Sequence, residues 1–514
     1  STFRSGGSYG GLGGSYEAGV PNPACGDARF PAALGSGGSR GYYSEQGGDG
    51  GGWAILRAGT LTVDGVIAAN GGTGGGSRAG SGSGGTIRVD TGVLRGTGSI
   101  QANGGGGEVG GGGGRIAIDY ALLGDPGDDL EELYNIVALG GHGSSSWGSA
   151  GTVVLRGPGQ AYGDLYIDDG MTDNGGVPNA TSSAWTPLTH IGFGEIQDLA
   201  ADTITVDGKV RMLTEALIGL DINPNIEQGV VYRIVANTLD TITVDTAGKP
   251  ALTDVAAIGS MYVGVQQFDN LTFRRGGFLV IGDRLLVRDT MSIGEYGRMT
   301  HYDATTDWES HLELTVGTLT IDVTGSINLD GRGYLGGNHN GNGSSGLTLG
   351  NVAGATYRSA GSYGGFGAQY DGATNALYGD EFYPAALGSG GARGYYGELG
   401  GDGAGWIRIH AGALWIDGAI TANGTSGAGS RAGGGSGGTI YIEAPSVGGS
   451  GAIHADGGGN ELGGGGGRVA VYYVAAQSDV TGVGATASGG AGSTGGGGVG
   501  TVHVEAGDVA PPVF

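Results

Sequence analysis

The chain has 514 residues, of which 124 are glycine and only 13 proline, and its formal net charge is −25. Scarce proline and the lack of a strict Gly-X-Y period exclude collagen, while a 38% hydrophobic and 14% charged composition argues against plain disorder. The acidity repels nucleic acid and anionic membranes, and no apolar run approaches the ~20 residues of a membrane span.

Residues 1–160 form a first glycine-rich module. Its short units GTLTVDGVIAANGG (59–72) and GVLRGTGSIQANGG (92–105) read as a strand, a corner and a second strand, followed by a glycine excursion. The excursions return as GGTIRVD (84–90) and GGRIAIDY (113–120). Leu61, Val63, Ile87, Val89, Ile116 and Ile118 alternate with polar or small residues, the period of a half-buried strand. The Asn-Gly and Asp-Gly steps read as corners with positive φ. The single cysteine, Cys25, permits no intrachain disulfide.

Residues 161–262 are less uniform. Alternation with Asn and Pro turns predicts a small inserted β-domain of barrel type over about 185–262. Residues 263–352 change character again. NLTFRRGGFLVIGDRLLVRDTMSIGEYGRM (270–299) places Leu271, Phe273, Leu279, Ile281, Leu285, Val287, Met291, Ile293 and Met299 as a ladder of very short strands. That pattern suits stacked coils better than the longer strands and hairpins of a Greek-key sandwich.

Residues 353–514 repeat the first module. TYRSAGSYGGFGAQY (356–370) matches TFRSGGSYGGLGGSY (2–16), and YPAALGSGGARGYYGELGGDGAGW (383–406) matches FPAALGSGGSRGYYSEQGGDGGGW (30–53). Trp53 and Trp406, Arg78 and Arg431, Glu108 and Glu461, and Arg115 and Arg468 share one offset, 353 residues. HLELTVGTLTIDVTGSINLDGRGYLGG (311–337) precedes the second copy only. The first copy therefore reads as a window on a longer repetitive protein or as a face completed by a neighbouring subunit. The start at Ser1 without Met points to a processed or cropped chain.

Glycine loses more backbone freedom on folding than any other residue. Excursions packed side by side as polyproline-II-like strands would recover that cost by pairing N–H with C=O on their neighbours. Arg78 and Arg431, with Glu108 and Glu461, are placed to cap carbonyl ends or to pair across such a bundle; mobile surface loops are the alternative.

The runs SGGTIRVDTGVLRGTGSIQANGGGGEVGGGGGRIAIDY and GSGGTIYIEAPSVGGSGAIHADGGGNELGGGGGRVAVYY resemble glycine-rich repeats of very large bacterial surface and secreted proteins. Their strands resemble right-handed parallel β-helices, and their glycine blocks resemble the polyglycine-II sandwiches of some phage tail-fibre adhesins. The resemblance covers about 1–160 and 311–510. It implies an extracellular structural or adhesive role and carries over no catalytic residue.

The fold expected is thus all-β: a right-handed parallel β-helix or solenoid with glycine excursions, plus the inserted β-domain. GGDGGGW (47–53) and GGDGAGW (400–406) are the nearest signals for calcium, with Asp49, Asp402, Glu45 and Glu398 as candidate hard-oxygen ligands. Tyr42, Tyr43, Tyr395, Tyr396, Trp53 and Trp406 either stack on a surface polysaccharide or plug the glycine layer. Asp64, Asp90, Asp119, Asp417 and Glu443 lie at outward strand positions, and the histidines show no metal spacing, so no catalytic set is expected. The expected role is an extracellular subunit of a homopolymeric filament joined head to tail. A monomeric stalk or adhesin segment of a longer surface protein is the alternative, and a polysaccharide-active enzyme is the third reading.

Overall fold

The computed structural model describes residues 1–124, 135–171, 184–209, 212–429 and 431–514. The chain is all-β, with one four-residue α-helix, Leu252–Val255, among the described residues. It divides into two units. The first comprises Ser1–Val280 and Ser292–Arg298, the second Ile281–Met291 and Met299–Phe514. The segment 263–352 contributes to both, and its nine predicted ladder residues are all buried.

In the first unit the strands Trp53–Thr62, Thr86–Arg95, Arg115–Leu123 and Thr152–Arg156 pair in parallel, so that Trp53, Thr86, Arg115 and Thr152 form one column. A second parallel ladder joins Val66–Ala68, Ser99–Gln101 and Ile136–Val137. Period-two alternation sends Ile87, Val89, Ile116, Ile118, Val153 and Leu155 into one core, like stacked on like.

The corners differ from the sequence expectation. Of the Asn-Gly and Asp-Gly steps in the repeating units, only Gly331 has a positive φ, 66°. The Asx side chains act as caps between successive repeating units instead. The N–H of Asn103 donates to Asn70 Oδ1, and that of Leu139 to Asn103 Oδ1, both at 2.8 Å. Asp330, Asn423 and Asp456 accept the N–H groups of Asn423, Asp456 and Ser488 in the same manner. Glycine follows the Asx because there is no room for a side chain: a Cβ on Gly71 would lie 2.1 Å from the Gly82 carbonyl oxygen.

Six further strands of this unit pair antiparallel in a closed cycle. Phe193–Leu199 pairs with Thr203–Val206, then follow Thr241–Asp245, Tyr232–Asn237, Asp221–Asn223 and Met261–Phe268, which returns to Phe193–Leu199. Ile196, Ile204, Ile222, Tyr232, Ile234, Ile242 and Tyr262 belong to its core.

The second unit repeats the parallel plan. Leu312–Ile321 pairs with Trp406–Ile416, and the column Trp406, Thr439, Arg468, Thr501 corresponds to that of the first unit. Its second ladder joins Ser326–Asn328, Ala419–Thr421, Ala452–His454 and Gly484–Thr486.

The glycine excursions are paired backbone to backbone. Segment 80–85 exchanges N–H···O=C bonds with 7, 36–39, 48–51, 69–72, 105 and 109–112. Segment 433–438 does the same with 361, 389–392, 401–404, 422–425, 458 and 462–465. These two segments thus find partners on all sides, which answers the demand of buried peptide groups for hydrogen bonds. The spacing tolerates no Cβ: one on Gly82 would stand 1.8 Å from Asp49 O, and one on Gly435 1.9 Å from Asp402 O. The large side chains within the lattice are Tyr9 and Tyr363, fully buried, whose hydroxyls meet Thr86 Oγ1 at 2.7 Å and Thr439 Oγ1 at 2.6 Å. Arg78 and Glu108 do meet, through the backbone: the Arg78 N–H donates to Glu108 Oε2 (2.9 Å), leaving the guanidinium 4.2 Å from the Tyr16 ring centre.

Candidate functional site

The first ladder strand of the first unit is half-covered. Strand Trp53–Thr62 pairs with Thr86–Arg95, and among the described residues no register runs along its other edge. Its inward residues Ala54, Leu56, Ala58 and Leu61 remain partly exposed, and Trp53 and Ile55 are exposed outright. The second unit shows the same element covered. There Leu312, Leu314, Val316, Leu319 and Ile321 lie beside Ile407, Ile409, Ala411, Leu414 and Ile416, and all ten are buried.

The layer over the glycine lattice carries the same difference. In the second unit the N–H groups of Gly390, Gly400 and Gly403 donate to Leu347, Gly337 and Tyr334, while Gly388 and Gly391 accept from Tyr334 and Gly337. The corresponding glycines of the first unit, Gly37, Gly47, Gly50, Gly35 and Gly38, have no segment equivalent to 333–347 over them among the described residues. Leu34 is accordingly 64% exposed and its counterpart Leu387 2%.

A second half-covered edge closes the ladder of the second unit. Strand Thr501–Ala506 pairs with Arg468–Tyr473 alone among the registers described. Val502 and Val504 continue the columns of the buried Val469 and Val471, yet are 44% and 45% exposed. Both edges present free strand backbone flanked by core-type side chains, the chemistry by which a sheet adds a further strand.

The calcium candidates are dispersed in their roles. Glu45 and Glu398 each accept a backbone N–H, from Tyr43 and Tyr396, at 2.8 Å. Asp49 is exposed. Asp402 is buried: it accepts the Gly336 N–H at 2.6 Å and contacts the His339 imidazole, and burial raises its pKa. It therefore holds the covering segment in place. Among the described residues no three His, Cys, Asp or Glu side chains gather around a common point. The tyrosine pairs do not plug the glycine layer, whereas Trp406 is half-buried against the cluster of Tyr334, Leu335, Leu347 and Leu387 and stacks on His311 at 4.1 Å. Tyr42, Tyr43, Tyr395 and Tyr396 are exposed, each pair edge to face at 4.7 Å, and Trp53 is exposed too.

Two grooves occupy equivalent places on the outer faces of the two ladders. In the first unit Phe30, Asp119, Arg156, Tyr162 and Arg233 line about 110 Å³. Arg156 pairs with Asp119 at 2.6 Å, and Arg233 with Asp221 at 2.8 Å. In the second unit Tyr383, Tyr441, Tyr472, His410, Glu443 and Asp508 line about 280 Å³. Tyr383 and Tyr472 stack at 6.0 Å, and the Tyr472 hydroxyl donates to Phe382 O at 2.8 Å. Burial first, then the Glu443 carboxylate, pushes the Tyr441 hydroxyl above its ordinary range, so it stays a neutral donor. The sequence patterns alone do not point to this aromatic, hydroxyl-bearing groove. Its signal lies in the outward positions of the repeat, where Arg88 and Asp119 of one copy become Tyr441 and Tyr472 of the other.

No protein-family model matches the chain, and no curated protein matches it.

Proposed function

We propose that the chain is an extracellular structural protein that polymerises head to tail, its ladders winding as right-handed parallel β-helices and its glycine lattice forming a polyglycine-II-like layer. The cycle of six antiparallel strands is read as the inserted barrel. The observation that carries this reading is the pair of half-covered edges, Trp53–Thr62 and Thr501–Ala506, each with core residues left in solvent. A heterologous contact of this kind builds an open filament when its rotation does not close a ring. The negative charge keeps filaments apart laterally until salt screens it.

A second reading has its own support. In the second unit the covering coil, 312–347, belongs to the same polypeptide. A longer surface protein would complete the first coil in the same way and act as a monomeric stalk or adhesin. Electron microscopy of the purified chain over a salt series, with light scattering of the same samples, separates the two. Regular filaments support the subunit; dispersed particles of one-chain mass favour the stalk.

A further inference from the structure

We propose that strand Thr501–Ala506 of one copy pairs in parallel with strand Trp53–Thr62 of the next, with Thr501 beside Trp53 and Glu505 beside Arg57. This rests on the polymer reading and specifies its interface.

Three features of the ladders select this arrangement. The first is polarity. In both parallel ladders an inner strand pairs with the preceding ladder strand along one edge and with the following one along the other. Among the described residues Trp53–Thr62 has no register along the edge where a preceding strand would pair, and Thr501–Ala506 has none along the edge where a following strand would pair. One edge is thus the continuation of the other, whereas two Trp53 edges cannot pair in parallel with this sense.

The second is register. The column Thr439, Arg468, Thr501 of one unit and the column Trp53, Thr86, Arg115 of the other are equivalent, because Trp406 heads the first as Trp53 heads the second. Continuing the column sets Val502 on Ala54 and Val504 on Leu56, inward side chain over inward side chain. The short second ladders follow, with Ala485 meeting Ile67. A shift of one residue would turn Val502 and Val504 toward the outer face and leave both cores open.

The third is charge. In this register Glu505 lands beside Arg57. Both are exposed in the single chain, and opposite charges directly across two strands favour pairing while like charges oppose it. Inside the molecule this column runs Arg57, Asp90, Asp119, Arg156: opposite charges meet at its first and last steps, and two carboxylates at the middle one.

The test is a charge exchange read by the critical concentration for filament formation at low salt. Arg57→Glu and Glu505→Arg should each raise it about fivefold or more, and the double variant should return it to near the wild-type value. Val504→Asp should abolish filaments, because it places a charge between two apolar layers. All three residues are on exposed edges, so circular dichroism should show each variant folded. If the single reversals leave the critical concentration unchanged, or the double variant fails to restore it, the interface is wrong while polymerisation stands. Assembly that stops at two copies also overturns the interface. A wild-type chain that stays monomeric at every salt concentration overturns the interface and the polymer reading together.

Discussion

Leu34 and Leu387 occupy equivalent positions in the two glycine-rich regions, yet one faces solvent and the other is buried. Asp49 and Asp402 part in the same way. The lattice beneath them does not differ: segments 80–85 and 433–438 bond to corresponding sets of neighbours, and Gly82 and Gly435 meet the carbonyls of Asp49 and Asp402. Backbone sterics dictate the lattice, so both copies keep it. What lies over it is a separate matter, supplied by residues 312–347 in one region and by nothing comparable among the described residues in the other. The outer grooves make the same point in side-chain chemistry, salt-bridged arginines in one copy and tyrosines in the other.

The largest test of this comparison is to attack the lattice in both copies. Gly82→Ala and Gly435→Ala should each destabilise their own unit by more than ~3 kcal/mol, the upper end of ordinary overpacking, because a backbone oxygen rather than a pliable side chain stands in the way. At Gly52 an added methyl would meet nothing within 4 Å, so alanine there should be accepted with a gain of up to ~1 kcal/mol. Thermal unfolding followed by calorimetry reads all three. A lattice substitution tolerated in one copy and not in the other would break the equivalence.

The covering is tested next. Leu387→Ala should cost ~2–5 kcal/mol, as for a buried leucine, and Leu34→Ala no more than ~0.5 kcal/mol in the single chain. Denaturant midpoints for the two variants decide it. Equal costs would mean that the first copy is covered after all.

Acid sharpens the comparison of the units further. Each holds a histidine whose pKa desolvation lowers: the half-buried His190 to about 4 and the fully buried His301 to about 3. The sign follows from linkage. A folded pKa below the unfolded value of 6.5 leaves the folded state binding fewer protons, so stability is complete above pH 6.5 and is lost as pH falls. By about pH 5 each histidine should have removed ~2 kcal/mol from its unit. His301→Gln should flatten the pH dependence of the second unit alone between about pH 6.5 and pH 5, as read by unfolding midpoints. Asp402 acts with the opposite slope. Burial raises its pKa, so its contribution is present below the unfolded value of 3.8 and declines as pH rises through the folded one.

Much of this was legible in the sequence, for identifiable reasons. Ile87, Val89, Ile116 and Ile118 face the core as their period of two requires, and the duplicated module announces itself by its constant offset. The order of the glycine excursions followed from the need to pair their peptide groups. The Asx-Gly steps misled because Asn70 or Asp456 can serve either its own turn or the next repeating unit, and sequence alone does not say which. The tyrosine groove escaped because it joins Tyr383, Tyr441 and Tyr472 from three distant segments. The exposure of Leu34 escaped for a related reason: its sequence matches that of Leu387, and only the three-dimensional neighbour differs.

The smallest expected effect concerns a detail the two copies share. Arg78 and Arg431 both adopt left-handed φ, 65° and 63°, and both guanidinium groups stand 4.2 Å from a ring centre, Tyr16 in one case and Tyr370 in the other. An L-residue in that conformation is costly away from glycine, so something outside the backbone must favour it at both places. The aromatic face is the partner common to the two. Tyr16→Leu and Tyr370→Leu keep an apolar side chain but remove the ring, and each should cost ~0.5–1 kcal/mol, the range for a partly exposed cation–π contact. Differential scanning calorimetry of the two variants reads the loss in each unit separately. Matching losses would show that the copies share this latch as well as the lattice. A loss in one alone would place Arg78 or Arg431 with the coverings, among the features each copy has acquired for itself.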